Sequence, residues 1–421
     1  MRDQRVVRCT YYLESESDPE QAAAAMAGEQ SSGTFVAVPG ESPRIRERHA
    51  AQVVSVRDLG TRSPSLPSRS RPETVRAAVV VVEFPMENIG TDLATLQTTI
   101  AGNLFELGEL FACRLQDIEL PEEFVAAHPG PAFGIPGTRR LMGGAEGVMI
   151  GTIIKPNVGL DESEFRLAVR ELARASVDLI KDDELMTDPV YLPLERRVAV
   201  ATEEIREAEQ ITGHPVMYAF NITGDLAGLR RRHDLVVGAG GRCVMLNVPV
   251  MGLAALAWLR EFSEVPVHGH RAGLAASMRS PALGMSYRVW QQLARLAGAD
   301  HLHVSGLGSK FYERDEEVAA HVRSLLEPLG KTLSPVPTLS SGQNVTTPAP
   351  TFTAVGSTDL LMLAGGGVAA HPDGPAAGVR SLRAAWAAAV DGVPLEVAAH
   401  AAAEAGDPAL LHAERTFGGV A

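Results

Sequence analysis

Lysine is what this 421-residue chain has least reason to be short of and yet lacks: of 38 basic residues only Lys155, Lys181, Lys310 and Lys331 are lysine, the rest arginine. Surface charge is therefore carried by arginine by default. A lysine that persists against that bias does something a permanently protonated guanidinium cannot: lose its proton, act as acid or base, or react with an electrophile such as CO2. Cysteine is equally scarce. Cys9, Cys113 and Cys243 stand far apart without metal-type spacing, which points to structural thiols and a reducing, cytoplasmic setting. Aromatic residues make up 5% of the chain, no apolar run reaches membrane-spanning length, and the first twenty residues have no apolar core, so neither a membrane span nor a signal peptide is expected. Positive charge is in deficit too. A net charge of −13 argues against nucleic acid or an anionic membrane as the main partner.

What is present organises into two parts. Residues 1 to 147 read as an α+β sheet domain. RVVRCTYYLES suggests an edge strand, DPEQAAAAMAGEQ a helix capped by Asp18 with Pro19 in its first turn, and AAQVVSVRDL and VRAAVVVVEFP two further strands. The Ser/Pro/Arg-rich residues 61 to 73 between those strands read as a mobile surface loop. The Gly/Pro-rich HPGPAFGIPGTRRLMGGAEG, residues 128 to 147, marks the boundary.

Residues 148 to 421 change pattern. Eight short apolar runs, VMIGTIIKP, VDLIKDDE, PVMYAFNIT, CVMLNV, VPVHGHR, DHLHVSG, VPTLSSG and DLLMLAGG, alternate with segments of helical periodicity. Eight strand–helix units make a (β/α)8 TIM barrel, with further helices at the C-terminus, and such barrels carry their chemistry where the strands end. Here nearly every run ends in reactive residue types: Lys155; Lys181, Asp183 and Glu184; Asn221; His268, His270 and Arg271; His301 and His303; Ser340, Ser341 and Gly342; Gly365, Gly366 and Gly367. Lys181 and Asp183, two apart on a strand, share a face, and Glu184 lies where the strand turns away. Two carboxylates make a weak site for a hard dication, and a lysine carbamylated by CO2 would add a third anionic group. Taken singly, each feature has an ordinary alternative: a salt-bridged strand end, core histidines, a tight packing turn. Their placement at the same end of successive strands favours the functional reading.

At this point the sequence resembles the large-chain RuBisCO superfamily. GTIIKPNVGL (151 to 160) is similar to its first barrel-strand signature and VDLIKDDE to the segment bearing its carbamylated lysine. VHGHRAG, GADHLHVSGLGSKFYE, LSSGQ and AGGGVAAHPDGPAAGVRSLR follow in family order, with GEQSSGTF (28 to 35) and AGNLFEL (101 to 107) before them. The resemblance implies a Mg2+ site of carbamylated Lys181, Asp183 and Glu184 holding an enediolate. It implies Lys155 as the acid–base lysine, His270 as a proton-transfer or hydrogen-bonding residue beside the metal, and Lys310 as the tip of a closing loop. It further implies substrate and phosphate contacts at Glu29, Thr34, Asn103, Asn157, Arg271, His303, Ser341, Gly342, Gly365 and Gly366. Glu29, Thr34 and Asn103 would reach a neighbouring subunit, so a homodimer or larger assembly with shared active sites is expected.

Departures bear on the reaction. Asn157 stands where the carboxylating members have a second lysine, Gln343 where they have a glycine, and Phe35 where a tryptophan is expected. Gln343 is expected to crowd one phosphate site. The chain therefore resembles a RuBisCO-like protein of the form IV type. HGHR, SGLGSKF and SSGQ are most similar to the branch acting on 3-oxo-isoapionate 4-phosphate, which implies a decarboxylating lyase or C–C cleavage in carbohydrate metabolism. The alternatives are an enolase or isomerase of methylthio-sugar phosphate salvage, a class I aldolase using Lys155, and a non-catalytic metabolite-binding relative. Enolase-type relatives draw a base lysine from the N-terminal domain, and residues 1 to 154 contain none.

Overall fold

The computed structural model describes residues 5–32, 40–144 and 146–419. They form two compact units, and the division is not a single cut in the chain. One unit contains the described residues up to Pro129 together with Gly273–Leu296 and Gly330–Thr332; the other contains Gly130–Ala272, Ala297–Leu329 and the described residues from Leu333 onward. Thirteen strands, numbered along the described chain, supply both units.

In the first unit β1 (Val6–Ser15), β2 (Gln52–Arg62), β3 (Val75–Pro85), β4 (Leu110–Glu119) and β10 (Leu283–Met285) form a sheet in the order β10-β4-β1-β3-β2. RVVRCTYYLES is thus not an edge strand, as its sequence suggested, but pairs antiparallel with both β3 and β4. Alternation explains its place. Val7, Cys9, Tyr11 and Leu13 share one face and are fully buried, and Val7, Cys9 and Tyr11 lie opposite Phe84, Val82 and Val80. The Tyr11 hydroxyl satisfies itself on Ile100 O at 2.7 Å. LFACRLQDIE, which supplies β4, had no recognised strand signature, and without it β1 had one neighbour too few.

The loop between β2 and β3 is tied down rather than mobile. Ser65 donates twice to the buried carboxylate of Glu14, at 2.8 and 2.7 Å, Leu66 N donates to Phe111 O at 3.1 Å, and Ser70 Oγ to Glu16 at 2.7 Å. The serines that read as solvated are the donors that fasten it. The expected helix is Pro19–Glu29, with the Asp18 side chain accepting from Glu20 N at 3.0 Å.

The second unit is a closed barrel of eight parallel strands: β5 (Met149–Ile153), β6 (Leu179–Lys181), β7 (Met217–Asn221), β8 (Cys243–Asn247), β9 (Val267–His270), β11 (His301–Ser305), β12 (Val336–Leu339) and β13 (Leu361–Leu363). All eight apolar runs supply them. Met149, Leu179, Met217, Cys243, Met245 and Val336 belong to one buried cluster, with Met142 packed into it. Gly151 in β5 is required by close approach, since a Cβ there would lie 2.5 Å from Leu363 Cδ2. Among the described residues no helix is long and apolar enough to cross a membrane.

A buried charge fastens the start of β11. Both Asp300 carboxylate oxygens are used: Phe133 N and Gly134 N donate to one at 2.6 and 3.0 Å, Val267 N and Arg260 Nη1 to the other at 2.8 and 3.0 Å. Asp300 is fully buried and Arg260 nearly so. Replacing Asp300 with alanine strands the guanidinium and three backbone donors, so Asp300→Ala should cost about 3–5 kcal/mol in chemical denaturation. Adding Arg260→Met should recover part of that loss.

Candidate active site at the barrel strand ends

The strand ends converge on Lys181. At the end of β6 successive side chains alternate. Asp182 turns into the protein, where Arg197 Nε at 3.0 Å, Tyr218 OH at 2.7 Å and Asn221 N at 2.8 Å donate to it. Lys181 and Asp183 consequently face the other way, together. Asn221 Nδ2 holds the following turn through Asp183 O and Glu184 O at 3.3 and 3.2 Å. Arg197 is completely buried and went unrecognised in the sequence. Its signal was its register, since it lies between Leu194, Val198 and Ala201 on the apolar face of helix Leu194–Thr212.

Lys181 is 1% exposed. Its Nζ donates to Asp182 O at 2.7 Å and stands 3.7 Å from Glu184 Oε2. Burial pushes the amine below its ordinary range, opposed by the charges of Glu184, Asp183 and Asp182 and assisted by Lys155. Lys155, just beyond β5, donates to Asn157 Oδ1 and lies 3.4 Å from Asp183 Oδ2. From the opposite side His270 Nε2 comes within 3.5 Å of Glu184 Oε2. Lys155, Asn157, Asp183, Lys181, Glu184 and His270 thus form one continuous group. Among the described residues no three His, Cys, Asp or Glu side chains gather as a metal set. Asp183 and Glu184 fit a hard dication only if a third anionic oxygen group joins them, and Lys181 fits that need as a carbamate and opposes it as an ammonium.

After β13, helix Gly365–Ala369 begins against this group. A Cβ on Gly365 would meet Lys155 Cε at 3.5 Å, while one on Gly366 would meet nothing within 4 Å, so open space adjoins that backbone. After β12, Ser341 has φ +69° and a buried hydroxyl without a hydrogen-bond partner, and Gly342 follows at φ +80°. Left-handed backbone at a serine and an orphaned buried hydroxyl both cost stability, and such costs concentrate where ligands bind.

Other expected site residues lie outside that group. Arg271 forms a two-pronged pair with the buried Glu313, one contact being 2.9 Å, and His321 Nδ1 lies 3.8 Å from the same carboxylate. Lys310 is exposed on the loop after β11, its Nζ 5.9 Å from the Phe311 ring centre. Gln343, expected to crowd a phosphate site, has its side-chain amide engaged inside the protein. It is 2% exposed, donates to Leu307 O at 3.3 Å and Ser341 O at 3.4 Å, and accepts from the Thr347 hydroxyl at 3.1 Å. It braces the base of the Lys310 loop so closely that a Cβ on Gly306 would fall 2.1 Å from its Nε2. In the first unit the Gln30 side-chain amide, oriented so that both its ends are satisfied, joins the end of the helix bearing Glu29 to Asn103: it accepts from Asn103 N at 2.8 Å and donates to Thr98 O and Thr99 O. Thr34 and Phe35 lie outside the described residues.

Behind His270 the barrel interior is polar. His270 and His303 have ring centres 4.4 Å apart, and His268 contacts both His303 (Nε2 to Nε2, 2.7 Å) and His301 (Nδ1 to Nδ1, 3.2 Å). Burial holds His268, His270 and His303 well below the ordinary imidazole range and His301 down to about 3. The unfolded chain binds protons on these groups near pH 6.5, which the folded barrel refuses. Their contribution to stability is therefore complete above about pH 6.5 and is lost as pH falls toward 3, at up to about 1.4 kcal/mol per pH unit for His301 alone. Urea midpoints measured against pH should be flat above neutrality and fall steeply below pH 6.

Comparison with known proteins agrees with this architecture. The family described as "Ribulose bisphosphate carboxylase large chain, catalytic domain" matches residues 134–407, and its "N-terminal domain" matches residues 1–124. A 3-oxo-isoapionate-4-phosphate transcarboxylase/hydrolase from Xanthobacter autotrophicus is 47% identical over 93% of this chain and 95% of its own length. A 3-oxo-isoapionate-4-phosphate decarboxylase from Rhizobium etli is 42% identical over 93% and 95%. The crystal structure of a rubisco-like protein from Burkholderia fungorum superposes with a TM-score of 0.91 at 42% identity, covering 98% of this chain and all of that one. The chain belongs to the ribulose bisphosphate carboxylase large-chain family, among its RuBisCO-like members.

Proposed function

We propose that the protein is a Mg2+-dependent lyase that removes CO2 from 3-oxo-isoapionate 4-phosphate, or a closely similar phosphorylated 3-keto sugar acid, by way of an enediolate. The observation that carries this reading is Lys181, a buried amine lowered by burial and set beside Asp183 and Glu184 within the group that includes Lys155. A buried amine that gives up its proton can add CO2, forming an N–C bond, releasing a proton and becoming a carbamate. With Asp183 and Glu184 it would hold Mg2+, which would supply positive charge to oxygens that become negative as CO2 departs.

The chain's own residues supply the remaining steps. When the carboxylate carbon leaves, the electron pair of the broken C–C bond stays on the substrate as the enediolate. Lys155 Nζ, aligned by Asn157 Oδ1, holds the proton that is then delivered to that carbon. The Gly365 and Gly366 backbone, Ser341 with its orphaned hydroxyl, Gly342, His303 and Arg271 are proposed to receive the phosphate and polar oxygens. His270 orients Glu184. Lys310 is proposed to close over the bound anion, and Glu29, Thr34 and Asn103 to complete the site of a neighbouring subunit in a homodimer or larger assembly in the cytoplasm. Decarboxylation is preferred to enolisation because it needs no base to create the enediolate, and residues 1 to 154 offer no lysine for that task. Hydrolytic C–C cleavage is the second reading, favoured by the 47% identity to the transcarboxylase/hydrolase.

Lys181→Arg keeps the positive charge and cannot become a carbamate. Turnover should drop on the order of 10²–10³-fold or more, as when a preorganised charge contact to a transition state is removed, while thermal unfolding stays near wild type. Wild-type activity should rise on preincubation with CO2 and Mg2+. A fully active Lys181→Arg enzyme would remove the carbamate from the mechanism.

In D2O, 13C NMR of the keto acid should show release of CO2 and deuterium entering the carbon that lost it. Release of a second carboxylic acid would favour hydrolytic cleavage. Turnover of a methylthio-sugar phosphate with none of the keto acid would replace decarboxylation with the isomerase or enolase reading. Labelled CO2 should not enter a stable product from ribulose bisphosphate, because Asn157 brings a neutral amide where the carboxylating members carry a cation.

A further inference from the structure

A continuous hydrogen-bonded chain runs through the barrel interior: Thr138 Oγ1 to His301 Nε2 at 3.0 Å, His301 Nδ1 to His268 Nδ1 at 3.2 Å, His268 Nε2 to His303 Nε2 at 2.7 Å, and His303 Nδ1 to Ser340 Oγ at 3.2 Å. A neutral imidazole has one N–H and one lone pair, so a chain of three has two defect-free orderings, running in opposite directions. The two ends decide between them. Thr138 is fully buried, and its hydroxyl has His301 as its hydrogen-bond partner; Ser340 is half-buried at the end of β12. If the chain ran from Ser340 to Thr138, the Thr138 hydroxyl proton would be left in a buried site without an acceptor. In the other direction no buried donor is stranded, and the Ser340 hydroxyl proton is free to point outward.

We propose that Thr138 is a positioning residue which orders His301, His268 and His303 in one direction and thereby presents the Ser340 hydroxyl as a hydrogen-bond donor to an anionic oxygen of the bound substrate. His301 and His303 then carry their proton on Nδ1 and His268 on Nε2. His303 donates into Ser340, so the serine oxygen is already satisfied as an acceptor and its own proton goes to the ligand. The depression of all three histidines by burial keeps them neutral, as the ordering requires. The identity of the ligand as a phosphorylated acid rests on the function proposed above; the ordering of the chain does not.

The test is ring 15N NMR of the full-length protein labelled on histidine, without substrate. Wild type should show Nδ1–H at His301 and His303 and Nε2–H at His268. Thr138→Val takes away the hydroxyl that donates to His301 Nε2, so the wild-type ordering no longer leaves every group partnered; the preference narrows and Nε2–H should become populated at His303, while Thr138→Ser should restore the wild-type pattern. Wild-type His303 protonated on Nε2, or a Thr138→Val spectrum identical to wild type, would overturn the ordering, and the wild-type spectrum decides it even if the valine variant does not fold. With inorganic phosphate as the probe, Ser340→Ala should weaken binding about tenfold, the size of one hydrogen bond to a charged group. Unchanged phosphate affinity in Ser340→Ala would overturn the outward donor, while loss of keto-acid turnover with the ordering intact would bear only on the proposed reaction.

Discussion

The buried carboxylate of Asp182 is the constraint on which the site depends. A lone charge there would be untenable, and Arg197, Tyr218 and the Asn221 amide together remove the cost. Once Asp182 is fastened to Arg197 and Tyr218, the alternation of a strand leaves Lys181 and Asp183 no choice but to face the other way together. A one-residue slip would exchange the anchoring carboxylate for the Lys181 amine. The helix that supplies Arg197 therefore sets the register of the reactive strand end.

The barrel interior divides its labour between apolar and polar strands. Met149, Met217 and Met245 lie in an apolar cluster, with flexible side chains that fill an irregular space. Beside them, with His268 in register with Met245 and His301 with Val336, the histidines His301, His268 and His303 replace apolar packing with hydrogen bonds between neutral rings, so polar side chains reach the strand ends without burying an unpaired charge. Burial acts in the same direction on both kinds of group: it lowers the Lys181 amine below its ordinary range and keeps the histidines beside it well below theirs.

Departures from the carboxylating members of the family take on a different meaning in three dimensions. Asn157 is a partner of Lys155, accepting from its ammonium and so aiming it. Gln343, which the motif alone suggested as an obstruction in a ligand pocket, is a buried brace between the β12 turn and the loop carrying Lys310. Both changes add neutral hydrogen-bonding groups that hold cationic side chains or their loops in place.

Local signals were sufficient for the barrel. Eight apolar runs separated by helical periodicity identify eight strands, and period-two alternation puts Lys181 and Asp183 on one face, because both patterns are properties of neighbouring residues. The same signals failed for β1, whose central place depends on β4, about a hundred residues away, and for residues 63 to 74, whose serines find partners in Glu14 and Glu16 only after the sheet has formed. By itself the sequence determined the strand count of the barrel, the scarcity of lysine and the set of polar and charged residues at its strand ends. Tertiary structure alone decided that Arg197 would anchor Asp182, that Arg271 would pair with Glu313, and that Thr138 would meet His301. Those partners lie 15, 42 and 163 residues apart, and only the packing of separate elements brings them within hydrogen-bond reach.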